Sequence, residues 1–88
     1  MRIKSDYLMR TIANTGVVIP IGERVIDFKG MITLNGSGSF VWKLLEDNQT
    51  YNELLSAILL EYDVEEAVAK ADLDELLAEM RNSGVLEE

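Results

Sequence analysis

The spacing of apolar residues changes once along this chain, near residue 35. Before that point lie short runs rich in β-branched and aromatic residues, at residues 7–12 and 17–21. The runs predict two strands, and Asn14, Thr15 and Gly16 between them predict a hairpin turn.

Residues 31–34 predict a third short strand, which runs directly into Asn35. An Asn at this position can cap a following helix, so one residue separates the strand from the helical part of the chain. The preceding residues 22–30 fit either a further strand or a packed loop, and the sequence leaves both open.

From residue 36 onward, apolar residues recur about every 3.6 positions, as expected for helices. The first helix is predicted over residues 37–46, with Asn35 as its cap. Thr50 and Glu53 have the spacing of a capping box, which predicts a second helix over residues 51–62.

A third helix is predicted to follow Asp63, which with Glu66 repeats the capping-box spacing, and to end at Ser83 before Gly84. Val85 and Leu86 are expected to fold back onto the core. At 100° per residue, one apolar face of this helix is predicted to be buried. That face consists of Ala69, Leu73, Leu76, Leu77 and Met80.

This order of elements predicts an α+β fold in which a three-stranded antiparallel sheet is followed by three helices. With 88 residues, the chain is expected to form one domain over residues 1–88. So small a sheet leaves at least one edge strand unpaired unless another segment covers it.

The charge is distributed unevenly around the total of −8. Residues 1–34 contain five basic and three acidic residues, whereas residues 35–88 contain three basic and thirteen acidic residues. The predicted helical part is therefore strongly acidic.

The chain contains no His and no Cys. It thus lacks the side chain best suited to proton transfer near neutral pH, the commonest transition-metal ligand and any thiolate nucleophile. We expect a protein that is not an enzyme and that uses no metal and no cofactor. The N-terminus lacks the apolar core of a signal peptide, so a cytoplasmic location is expected.

Two features of the helical part allow more than one interpretation. Asp72, Glu75 and Glu79 form a stripe on the third helix, which is either a solvated face or a face toward a partner, the first being the commoner case. Trp42 lies within an apolar stripe of the first helix, where packing is favoured over recognition.

Several segments, in their order and spacing, resemble the family of pyrroloquinoline quinone synthesis protein D. The similarity runs from about Leu8 to Leu86. It is carried by Met31-Ile-Thr-Leu-Asn35, by Phe40, Trp42, Leu44 and Leu45, by Thr50-x-x-Glu53, by Glu61-Tyr-Asp-Val64 and by Arg81-Asn-Ser-Gly-Val-Leu86. The chain departs from the family at residues 36–39, where Gly-Ser-Gly-Ser replaces the usual Glu-Thr and small residues, and in the long connection over residues 22–30.

The resemblance implies a winged-helix-like domain that recognises precursor peptides and does no chemistry itself. Such domains bind the leader segment of a ribosomally made, post-translationally modified peptide. They present it to a modifying enzyme, often a radical S-adenosylmethionine enzyme with iron–sulfur clusters. The leader joins as an added antiparallel strand beside the third strand, in a groove against the third helix.

An unpaired strand edge suits this role, because an extended peptide can pair with its free N–H and C=O groups. On this interpretation the peptide-binding residues are Met31, Ile32, Thr33 and Leu34 of the strand and Val68, Asp72, Leu76 and Glu79 of the helix. Ile32→Pro is expected to abolish binding if the Ile32 N–H points out of the sheet.

Three alternatives remain beside this interpretation. A winged-helix protein that binds nucleic acid is disfavoured, because residues 63–83 carry seven acidic and only two basic residues. An acidic module that docks onto a partner protein is compatible with peptide presentation. A homodimer formed through the open sheet edge is the third.

Overall fold

The computed structural model describes residues 1–21 and 32–88, so the predictions for residues 22–30, for Met31 and for the side chain of Ile32 lie outside the described residues. The strands are β1 (Arg2–Ile3), β2 (Tyr7–Ile12), β3 (Thr15–Pro20), β4 (Ile32–Leu34) and β5 (Leu86–Glu87), and the helices are α1 (Gly36–Leu44), α2 (Tyr51–Glu61) and α3 (Glu66–Ser83). An antiparallel sheet has the order β2-β3-β4. The predicted α+β fold, a three-stranded antiparallel sheet followed by three helices, is confirmed.

The turn between β2 and β3 consists of Ala13 and Asn14. Both residues have positive φ, +50° and +66°, as required by the two-residue turns that match the twist of a hairpin. Thr15 already pairs with Ile12 as part of β3. The predicted hairpin is confirmed and Asn14 lies in its turn, but the assignment of Thr15 and Gly16 to the turn is wrong, since both belong to β3. Ala13 gave no turn signal because Ala seldom adopts positive φ.

Gly16 instead allows the sheet and α1 to approach closely. A Cβ atom at this position would lie 2.5 Å from Ser39 Oγ, 2.8 Å from Met9 Sδ and 3.3 Å from Leu34 Cβ. Because Gly16 has no side chain, β3 can lie close to α1 at Ser39 and close to the side chains of Met9 and Leu34 on the two neighbouring strands.

A second, two-stranded sheet joins β1 to β5, and this pairing was missed at the sequence level. Arg2 pairs with Glu87 and Ile3 pairs with Leu86. Val85 and Leu86 are buried, as predicted. The small sheet fastens the start of the described chain to its end.

The caps of α1 and α2 follow the sequence signals. The Asn35 side-chain oxygen accepts a hydrogen bond from the Gly38 N–H at 2.8 Å. The Glu53 N–H donates to the Thr50 hydroxyl oxygen at 3.1 Å, and the Thr50 N–H donates to the Glu53 carboxylate at 2.9 Å. The predicted capping box of the second helix is confirmed.

The start of α3 differs from its prediction, whereas its end agrees. Glu65 occupies the N-cap position and its side chain makes no capping hydrogen bond. Asp63 lies too far before the first helical turn to act as the cap, so that prediction is wrong. Gly84 ends the helix with φ of +77° and donates its N–H to the Arg81 carbonyl at 3.1 Å.

The buried apolar residues form a cluster between the sheet and the helices. Trp42 is only 1% exposed, which confirms its predicted packing role. On α3, Ala69, Leu73, Leu77 and Met80 are buried and Leu76 is partly buried, so the predicted core face is confirmed. No helix in the described part of the chain is long and apolar enough to span a membrane.

Candidate functional site

The register of the sheet determines which backbone groups lie at its open edge. In a two-residue hairpin, the residues that flank the turn bond to each other, so the N–H and C=O of Thr15 point toward β2. These directions alternate along a strand, and the N–H of Ile21 accordingly donates to the Asp6 carbonyl at 2.8 Å on the β2 side. It follows that Gly16 and Val18 direct their backbone groups toward β4.

The same alternation settles the directions along β4. Leu34 pairs with Gly16 and Ile32 pairs with Val18, so Leu34 and Ile32 use their backbone groups to bond to β3. Thr33, opposite Val17, directs its N–H and C=O away from β3. Within the described residues no strand lies on that side of β4, and Thr33 therefore offers a donor and an acceptor to an added strand.

A groove of about 630 Å³ runs between this edge and α3. It is lined by Thr33, Leu34, Asn35, Gly36, Ser37, Gly38, Val41, Ile58, Tyr62, Val64, Ala69, Asp72, Leu73, Glu75, Leu76 and Glu79. Leu34, Val41, Ile58 and Leu73 are buried and give the groove an apolar floor. An apolar floor beside an open strand edge can hold the side chains of an extended chain while its backbone pairs.

The floor is held in place by local packing and capping. Asn35 directly follows β4 and caps α1, so the first turn of α1 lies against the end of the strand at Gly38. A Cβ atom at Gly38 would lie 3.3 Å from Leu34 Cβ. On another side of the groove, Tyr62 packs edge-on against Phe40, with ring centroids 5.6 Å apart.

Carboxylates line the α3 side of the groove. Asp72, Glu75 and Glu79 are exposed residues of this wall. Among the described residues, the two side chains with clearly shifted pKa values, Tyr51 and Glu53, do not line the groove. The hydrogen bond from the Tyr51 hydroxyl to Asp74, 2.7 Å long, raises the pKa of Tyr51. The hydrogen bonds that Glu53 makes with Thr50 lower the pKa of Glu53.

The structure brings most of the predicted peptide-binding residues to one groove. Its lining includes Thr33, Leu34, Asp72, Leu76 and Glu79. Ile32 contributes its backbone to the pairing with β3, so the condition attached to Ile32→Pro is not met. Val68 is 49% exposed and does not line the groove, and Met31 lies outside the described residues.

Sequence reasoning missed the contribution of the α1 start and of the connection between α2 and α3. Asn35 to Gly38 and Tyr62 line the groove, as does Val64. The cap signal at Asn35 placed this turn directly after the edge strand, and that adjacency was the available clue.

Among the described residues, no group of three His, Cys, Asp or Glu side chains is placed to hold a metal ion.

Comparisons with known proteins agree with this architecture. The family described as coenzyme PQQ synthesis protein D (PqqD) matches residues 17–86. A solved structure described as TbiB1 in complex with the TbiA(beta) leader peptide matches with a TM-score of 0.78 and 26% sequence identity, over 99% of this chain and 95% of that one. A comparison with curated proteins gave no significant match. The match over residues 17–86, from the hairpin to the last strand, shows that this chain belongs to the PqqD family.

Proposed function

We propose that this protein binds the leader segment of a ribosomally synthesised, post-translationally modified precursor peptide and presents it to a modifying enzyme. The observation that carries the proposal is the outward-facing backbone of Thr33 at the open β4 edge, beside the apolar groove. The similar structure of TbiB1, which holds a leader peptide, supports it.

Binding proceeds by addition of a strand to the sheet. The leader lies extended along β4, accepts a hydrogen bond from the Thr33 N–H and donates one to the Thr33 carbonyl. Because side chains of a strand alternate between its two faces, every second leader residue points into the groove toward Leu34, Val41 and Ile58. The backbone pairing supplies affinity, and the groove selects among side chains.

In this proposal the protein contributes no catalytic group. A chain without His or Cys has few side chains suited to acid–base or nucleophilic catalysis near neutral pH. The chemistry therefore belongs to a partner enzyme, for which the radical S-adenosylmethionine class stays our prediction. We also propose that residues 1–88 act as one domain, in the cytoplasm.

The charge of the described surface argues against nucleic acid as the ligand. The wall of the groove carries Asp72, Glu75 and Glu79, which repel phosphate groups. Docking of the acidic helical face onto the modifying enzyme is compatible with the proposal, since a presenting protein contacts both its cargo and its enzyme.

The test is a ¹⁵N NMR titration with synthetic peptides that cover the leader regions of precursors encoded beside the gene. We expect chemical-shift changes concentrated on Thr33, Leu34 and the groove side of α3, with saturation at micromolar peptide. The control is a scrambled peptide of the same composition. A folded protein whose spectrum does not change with any leader would contradict the proposed function.

A further inference from the structure

The groove combines an apolar floor with a negatively charged rim, which consists of Asp72, Glu75 and Glu79 on α3. At 100° per residue, Asp72, Glu75 and Glu79 lie within about 60° of one another around α3. Ala69, Leu73 and Leu76 occupy the neighbouring part of the same helix and face the floor. The helix therefore presents an apolar strip and a carboxylate strip to the same space.

The two basic residues of α3, Lys70 and Arg81, form ion pairs with carboxylates that do not line the groove. Lys70 is 3.7 Å from Glu66, one turn before it on α3. Arg81 bonds to Glu88, with a distance of 2.9 Å between guanidinium and carboxylate. No Lys or Arg among the described residues lines the groove, so its carboxylates have no basic partner within the described lining.

The span of the rim fits a short stretch of extended peptide. With a rise of about 1.5 Å per helical residue, Asp72 and Glu79 are about 10 Å apart along α3. A strand covers the same length in about three residues. Two cationic side chains within three to five leader residues are thus enough to reach the whole rim.

We infer that the leader segment bound in this groove is basic, with Lys or Arg side chains that pair with Asp72, Glu75 and Glu79 next to apolar side chains that fill the floor. The inference rests on the proposed function, because the open edge and the groove define the site and the carboxylates only decide the charge of its ligand. The carboxylates of the rim attract a basic leader electrostatically before the leader pairs with β4, and they repel an acidic leader.

Two double variants of equal charge test this inference. Asp72→Asn with Glu79→Gln removes two rim carboxylates, and Asp47→Asn with Glu46→Gln removes two exposed carboxylates that do not line the groove. The probe is the leader peptide that gives the largest shifts in the NMR titration, labelled with fluorescein. Its dissociation constant is measured by polarisation, together with that of a version in which every Lys and Arg is replaced by Gln.

We expect the rim variant to bind the leader roughly threefold to tenfold more weakly than the wild type, as expected for two partly exposed ion pairs. The control variant should lose much less affinity. The neutralised peptide should bind the wild type more weakly, yet bind the wild type and the rim variant almost equally. The advantage of the wild type should shrink as the ionic strength rises from about 0.05 to about 0.5 M.

The inference fails if the leader contains no Lys or Arg in its bound segment, if neutralising the peptide leaves its affinity unchanged, or if the two double variants behave alike. In each of these cases a leader still binds, so the proposed function stands. If no leader binds the folded wild type, the proposed function fails and the inference fails with it.

Discussion

Val17 and Thr33 face each other across β3 and β4, in a pair whose backbone groups point away from one another. Val17 directs its N–H and C=O toward β2, and Thr33 directs its own toward the groove. Val17 thus bonds to β2 within the sheet, whereas the N–H and C=O of Thr33 remain open at the edge of β4.

This arrangement predicts different effects for proline at two adjacent positions. Thr33→Pro removes an N–H that the sheet does not use, and an edge strand tolerates Pro there. We expect the variant to fold, with circular dichroism like that of the wild type, but to lose leader binding. Ile32→Pro removes an N–H that bonds to β3, and we expect it to lower the thermal stability.

Thr33→Val is the matched control, because it keeps the backbone N–H and a β-branched side chain while removing the hydroxyl. Its leader affinity, measured by calorimetry, should stay within about twofold of the wild type. Strong binding by a folded Thr33→Pro protein would show that the Thr33 N–H is not used.

The start of α1 and that of α2 could be predicted from sequence because their signals are local. Asn35 and the pair Thr50 and Glu53 each bond within three residues, so short-range spacing is sufficient to identify them. Short-range spacing is not always sufficient: Asp63 and Glu66 have the spacing of a capping box, but Glu65 is the N-cap of α3, which begins at Glu66.

The sequence could not predict in the same way that Thr33 is the residue of β4 whose backbone N–H and C=O point out of the sheet. It depends on the two-residue turn at Ala13 and Asn14, because a shift of the turn by one residue reverses the direction of every backbone group along β3. The short strands β1 and β5 were missed for a related reason. Two residues carry no periodic pattern, and their pairing is decided by the packing of distant segments.

The close approach at Gly16 predicts a stability cost for a side chain there. Gly16→Val would place atoms against Ser39, Met9 and Leu34, and overpacking of this kind typically costs about 1 to 3 kcal/mol. Urea denaturation followed by the fluorescence of Trp42 measures the free energy of unfolding. Gly36→Ala is the control, since nothing lies within 4 Å of the position that its Cβ atom would take, and we expect it to be neutral or slightly stabilising.

Equal stability of Gly16→Val and the wild type would contradict this account of the contact between β3 and α1. A loss of stability in Gly36→Ala as large as that in Gly16→Val would contradict it as well, because any added methyl group would then be harmful in this region.

The capping box of α2 predicts a dependence of stability on pH. The hydrogen bonds with Thr50 hold the pKa of Glu53 below its usual value of 4.5, so the folded state binds this proton less readily than the unfolded state does. The resulting stabilisation is present above pH 4.5 and is lost as the pH falls through the lower pKa of the folded state.

Glu53→Gln tests this dependence, because the amide oxygen can accept the same bond from Thr50 and does not titrate. The difference in the free energy of unfolding between the wild type and this variant should change on acidification below pH 4.5, with the wild type losing more. A difference that stays constant over this range would show that the Glu53 carboxylate does not respond to pH as described.

The most direct test of strand addition is the hydrogen exchange of single backbone amides in β4, followed by NMR with and without the leader. In the free protein, Ile32 and Leu34 should exchange slowly because they bond to β3, and Thr33 should exchange fast. Saturation with the leader should slow the exchange of Thr33 strongly and change that of Leu34 much less. An unchanged Thr33 rate in a fully bound protein would contradict the addition of a strand at this edge.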